Sequence, residues 1–359
     1  MTKSAKFLHL FLCFALLAPS FFAFETDQYN LSPVPLADIG DEVSEYTENE
    51  ILQAIGKLNN EIRARLVCLE NAEANAAKNA GKKDCGAANE EQRKLAFLRS
   101  EDAAALYVFR RLGAGFIPFT KSGTWLEKHR FKAQPARYKS SYGNSIYALV
   151  PTNYLTISPT IKIYAAEFGT DKIAHFFQQG YDYYKIYKSA LKNGATPAEA
   201  TQKAIRWGQM TERTYYGTLV SGVYSNADLC ANFVGLKFYQ GLTGEVRIGG
   251  QTRAAILRLE NGLWTISEKI NRRETLIKPF MTAHLNEALN PSLYLAGLRS
   301  FVRKTVRKNA CPQWRARYPN LTQTDYAETT ADLTNWLGED YGFKTSRKFV
   351  TIAATCFDK

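Results

Sequence analysis

Between Asp171 and Asn232 the chain places ionisable and amide side chains at helical spacing inside segments that are otherwise apolar and aromatic. Buried polar groups without partners cost free energy, so such a stretch folds only if its helices bring those groups to one another. The first segment, FGTDKIAHFFQQGYDYYKIY, carries Asp171, His175, Gln178 and Asp182 on one face of a helix, with Ile173, Phe176, Phe177, Tyr184 and Ile186 elsewhere. The second, AIRWGQMTERTYYG, offers Glu212 one turn after Gly208, a residue that lets a second helix come close. The third, SNADLCANFVGLKFYQ, sets Asp228 and Asn232 one turn apart in a helix whose other positions are nearly all apolar. Each of three helices therefore offers a carboxylate, and the first adds a histidine.

Helix ends explain part of this pattern. Thr170 and Ser225 occupy N-cap positions, Asp228 lies where a capping-box acid reaches back to the cap, and Asp171 sits in a first turn favoured by the helix dipole. Capping accounts for Asp171 and Asp228 taken alone. It does not account for His175, Glu212 or Asn232, which lie beyond the first turns.

Residues 1–20 have a basic start (Lys3, Lys6) followed by an apolar run of signal-peptide length, ending in Ala18-Pro19-Ser20, with a cut after Ala23 as the alternative. The expectation is an exported chain, periplasmic or envelope-associated in a bacterium. The formal charge of +12 falls to about +10 without Lys3 and Lys6, still a strong basic excess. For an exported protein that excess points to an anionic membrane surface or a lipid-linked substrate rather than to nucleic acid; a merely basic, soluble surface is the other explanation. Of the five cysteines left after Cys13, Cys68 is expected to pair with Cys85 and Cys311 with Cys356, leaving Cys230 reduced inside its apolar helix.

The fold expected is mainly all-α. Residues 47–112 read as a helical hairpin with its turn near 79–86, and 113–160 as an aromatic, Gly- and Pro-rich connection with short helices. Residues 161–242 form the helical core with the polar pocket, and 243–359 a partly irregular, disulfide-tied helical extension that opens with a possible short hairpin. Within the extension, KPFMTAHLNEALNPSLY gathers His284, Asn286, Glu287 and Asn290, either as further substrate-binding groups or as a solvated turn before Pro291. Residues 294–308 place Leu295, Leu298, Val302 and Val306 on one side and Arg299, Arg303, Lys304, Arg307 and Lys308 on the other. Such a helix either lies on an anionic membrane or packs on the core as an ordinary surface helix.

The succession DKIAHF, a Glu in WGQMTERTYYG, and SNADLCANFVG is similar to the pattern of the YfiM-like and VanZ-like proteins of the Lipocone superfamily, over about 75 residues. That resemblance implies an all-α core whose pocket is lined by Asp171, His175, Glu212, Ser225, Asp228 and Asn232 and acts on phosphate-linked head groups of lipids or lipid carriers. His175 would act as nucleophile or general base, with Asp171 or Glu212 orienting its ring. Ser225, Asp228 and Asn232, with His284 and Glu287, would bind substrate. The one candidate cofactor is a divalent cation, Mg²⁺ or Ca²⁺, held by the oxygens of Asp228 and Asn232. There is no Gly-x-Ser-x-Gly elbow, phosphate-binding loop, dinucleotide fingerprint or HExxH. The competing expectation is a non-enzymatic envelope protein whose polar stripe fixes helix register.

Overall fold

The computed structural model describes residues 25–76, 86–115, 119–267, 274 and 276–357. The expected signal peptide and Cys85 lie outside the described residues. Helices dominate, and every strand pair is short and antiparallel.

The hairpin begins earlier than the apolar periodicity suggested. Its first limb is the 37-residue helix Gly40–Ala76, and the return limb is split into Ala88–Leu98 and Glu101–Leu112. Ser100 makes the break by accepting from the Ala103 N–H as an N-cap. Ile51, Ile55, Leu58 and Ile62 form the buried seam, and the pairs Arg65–Glu91 and Arg111–Glu50 set the limbs antiparallel. Cys68 is disulfide-bonded.

The core opens with a hairpin that the helical periodicity of 161–242 did not disclose. Thr160–Ile163 pairs with Ala166–Gly169, with Ile161 opposite Phe168, and Tyr164 and Ala165 make the turn at positive φ. Thr170–Ala174 and Gly180–Lys192 are α-helical and are joined by one π turn, His175–Gln179. Helix Pro197–Arg213 comes next, with a complete Thr196/Glu199 capping box. The helix Asn226–Gly241 is buried on nearly every side, as its all-round apolar sequence requires. It crosses the π turn closely: a Cβ on Gly235 would lie 2.1 Å from the Phe176 carbonyl oxygen. Gly208 likewise gives room to Tyr183, whose hydroxyl would lie 1.6 Å from a Cβ there.

Two hairpins, Val246–Ile248 with Gln251–Arg253 and Leu257–Glu260 with Leu263–Ile266, open the C-terminal extension. Strand Ser292–Tyr294 then pairs with Val223–Ser225, which leads directly into the central helix. Helix Ala296–Thr305, a π turn Val306–Ala310 and helix Cys311–Arg317 complete this part. Cys311 is bonded to Cys356, and Cys230 is free and buried. Leu298, Val302 and Val306 pack into a second apolar cluster with Tyr29, Trp314 and Val350. The stripe of the basic helix is therefore committed to the protein interior, and Leu295, which precedes the helix, is exposed rather than part of it. Among the described residues no helix is long and apolar enough to cross a membrane.

Candidate active site

The three core helices do bring their polar groups together, around a lysine that periodicity did not single out. Lys172 is fully buried, and its Nζ lies 2.6 Å from Asp171 Oδ2, 2.6 Å from Asp228 Oδ1 and 2.5 Å from Glu287 Oε1. Burial opposes its charge, but Asp171, Asp228 and Glu287 outweigh burial and hold the ammonium well above the ordinary lysine value. Thr26 donates its hydroxyl to Asp171 Oδ1 at 2.7 Å, and Gln28 Oε1 accepts the Glu287 N–H at 2.6 Å. The extended segment after residue 24 thus forms one wall.

His175 lies beside this cluster. The Asn232 amide donates to Gln179 Oε1 at 2.8 Å, which turns its oxygen toward the ring, and His175 Nδ1 donates to that oxygen at 3.1 Å. This leaves Nε2 facing Asp228 Oδ2 at 3.6 Å, beyond hydrogen-bonding distance. The ring is accordingly oriented by Asn232, not by Asp171 or Glu212. Both ends of the Asn232 side chain are spent on protein groups, which removes it as a cation ligand.

The cap of the central helix is shared. Ser225 Oγ accepts the Asp228 N–H at 3.1 Å, as expected of an N-cap. The Asp228 carboxylate does not reach back to complete the box, because Lys172 and His175 face it. Glu212 does so in its place: its Oε1 accepts the Ser225 N–H at 2.9 Å. Ser225 also donates to Glu287 Oε1 at 3.3 Å. Thr170, expected as a cap, makes no capping bond; Gly169 holds that position and the Thr170 hydroxyl is buried without a partner.

The π turn explains another difference. One residue too many in the turn rotates the rest of the helix about its axis, so Gln179 rather than Gln178 reaches the site. Gln178 bonds the Gly115 carbonyl, and Asp182 pairs with Lys185 near the surface. In the C-terminal motif, His284, Asn286, Glu287 and Asn290 are all buried, so the solvated-turn expectation fails. Only Glu287 enters the cluster. His284 Nε2 donates to the Asn335 carbonyl at 2.8 Å and Nδ1 accepts from Thr282 at 3.0 Å, a neutral tautomer with both nitrogens occupied. Asn290 ties the His284 carbonyl to the Tyr341 hydroxyl.

Glu25 is the second residue that sequence reasoning missed. It is 2% exposed, and burial, reinforced by Glu287 and Asp228, pushes its carboxyl well above the ordinary value. Burial and then Asp228 raise Glu212 in the same way, against the pull of the Ser225 N–H. Burial pushes Glu287 up to about 8, with Lys172 opposing and Asp228 and Asp171 adding to the shift. Nothing in the sequence around Glu25 marks it, since it comes after an apolar run and has no periodic neighbours. Lys172 had one signal: a cation beside Asp171 and directly before the largely apolar run Ile173–Phe177.

No protein-family model, no curated protein and no solved structure matches this chain.

Proposed function

We propose that the protein is an exported hydrolase or head-group transferase that works at a membrane surface on phosphate-linked head groups of lipids or lipid carriers. The observation that carries this reading is His175: Asn232 fixes its ring by Nδ1, so Nε2 keeps its lone pair and has Asp228 at 3.6 Å to stabilise the imidazolium formed on proton uptake. The resemblance of the Asp171–Asn232 stretch to the Lipocone pattern supplies the substrate class. The non-enzymatic reading has one observation in its favour, the 3% exposure of His175. Against it, a network built only to hold register leaves few loose ends, and here Glu25 Oε2, Gln179 Nε2 and Glu287 Oε2 are buried without hydrogen-bond partners.

Lipid profiling of the envelope with parent and His175→Ala chains tests the assignment. Loss of His175 is expected to make one class of phosphate-bearing lipid or lipid carrier accumulate; identical profiles from a folded variant would end the enzyme reading.

Surface attachment is supported by residues other than the packed stripe. Leu295 is 54% exposed and its N–H bonds the Gly222 carbonyl, at the end of a run of turns in which Leu219 is 76% exposed. That run covers the acid cluster, because a Cβ on Gly217 would lie 2.6 Å from Glu212 Oε1. Lys304, Arg307 and Lys308 are exposed on the adjoining helix, whereas Arg303 is tied to the Arg347 and Phe349 carbonyls. At about 1 kcal/mol per cation, replacing Lys304, Arg307 and Lys308 with Gln should weaken binding to anionic vesicles up to about a hundred-fold at low salt. Sedimentation with phosphatidylglycerol vesicles reads this, and equal binding by parent and variant would remove the membrane role.

A further inference from the structure

We infer that Glu25, Asp228 and Glu287 form a binding site for one hard divalent cation, Mg²⁺, Mn²⁺ or Ca²⁺. The three residues come from separate parts of the fold: the extended N-terminal segment, the first turn of the central helix, and the loop after the 3₁₀ turn Ala283–Leu285. Each offers a carboxylate oxygen, and these oxygens lie within 4.8 Å of one another. Oxygens bound 2.0–2.6 Å from a common ion are no more than about 5 Å apart, so the spacing fits without rearrangement of the backbone.

The second observation is independent of the spacing. Glu25 Oε2 and Glu287 Oε2 are each buried and accept no hydrogen bond, a costly arrangement for carboxylate oxygens unless each meets a cation or carries a proton. Lys172 cannot do so, since its contacts are with Asp171 Oδ2, Asp228 Oδ1 and the other oxygen of Glu287. Charge points the same way. Lys172 is one ammonium among the buried carboxyl groups of Glu25, Asp171, Asp228 and Glu287, whose negative charge must be balanced by protons or by a further cation.

A second trio, Asp171, His175 and Asp228, has ligand atoms equally close, but both Asp171 oxygens already accept hydrogen bonds, from Thr26 and Lys172. The lone pair it would take, at His175 Nε2, is the one the proposed function uses. The available set is all carboxylate, which suits hard cations over zinc or copper. A cation there would also offset negative charge that an anionic phosphate would meet, although the inference stands on the geometry and not on the proposed substrate.

The test is a titration of the full chain, stripped with EDTA, with Mn²⁺ monitored by electron paramagnetic resonance at neutral pH. One bound Mn²⁺ per chain is expected, displaced by excess Mg²⁺ or Ca²⁺. Glu25→Gln and Glu287→Gln, which keep shape and hydrogen-bonding capacity, should each bind Mn²⁺ at least tenfold more weakly, and Glu212→Gln should bind as the parent does. Circular dichroism establishes that each variant is folded, and either Gln variant suffices if the other is not. No Mn²⁺ bound by the parent, or parental affinity in a folded Glu25→Gln or Glu287→Gln, overturns the site and leaves protons as the neutralising species. Unchanged lipids in the His175→Ala experiment alongside normal Mn²⁺ binding would remove the head-group reading and keep the cation site.

Discussion

Replacing Lys172 with Met is expected to lower the unfolding free energy by about 3–5 kcal/mol, measured by equilibrium denaturation in urea. Met fills nearly the same volume, so the loss comes from charge. Without the ammonium, Asp171 and Asp228 stand in the interior with no common counter-ion, and Glu287 loses a hydrogen-bond donor. The contrast is Arg111→Met, which removes an ion pair to Glu50 whose arginine side chain is 34% exposed; screening by water should keep that cost below about 1 kcal/mol. A loss below about 1 kcal/mol for Lys172→Met would mean that the carboxyls are already neutral and that the lysine is not their balancing charge.

Without divalent cations, stability should fall as pH rises from about 5 to 8, the reverse of the behaviour of a chain whose carboxylates are held in surface ion pairs. Glu287 has its folded value raised from 4.5 to about 8, and Glu25 and Glu212 are raised as well. Across that interval the folded chain keeps protons that the unfolded chain has released, so each step up in pH favours unfolding. The contribution of Glu287 is complete below about 4.5 and is lost as pH climbs through about 8. Thermal unfolding midpoints at several pH values measure the slope. Glu287→Gln should flatten it, and a midpoint that holds level or rises through the window in the parent would remove the raised carboxyls from the account.

The parts of this site that were legible in the sequence are those encoded locally. Ser225 lies before an apolar run, and His175, Glu212, Asp228 and Asn232 sit at helical phase, so periodicity alone gives their helices and rough facing. The exchange of Gln178 for Gln179 has a local cause that periodicity hides. A π turn adds about one residue to a turn, and no composition signal distinguishes HFFQQ from an ordinary helical stretch. The orienting partner of His175 was misassigned for a related reason: helical phase says which residues share a face, not which of several polar groups a ring nitrogen meets.

Distance along the chain decided the rest. Thr26 meets Asp171 across 145 residues and Gln28 meets Glu287 across 259. The segment that supplies Glu25 is extended, with single bridges such as Thr26 to Ser158 in place of a regular ladder, and so carries no repeat of its own. Likewise the Thr160–Gly169 hairpin is too short for its alternation to stand out beside the long helices that come after it.

Tyr29 donates its hydroxyl to the Val350 carbonyl, a contact spanning 321 residues, and Trp314 returns a bond to the Tyr29 carbonyl. In time, that pairing makes the beginning of the chain wait for its end. While the polypeptide emerges, the helical hairpin can form from neighbours, but Glu25 to Asn30 lack the part of their seat made by Glu287, Trp314 and Val350 until those residues have been made. The charged cluster is then assembled in the final stage of folding, when the cost of burying its carboxylates is met by a scaffold already in place. A nascent chain arrested before Glu287 would hold formed helices and an incomplete site, and its N-terminal stretch, without the Tyr29–Val350 and Trp314–Tyr29 bonds, would be more open to proteases than in the finished protein.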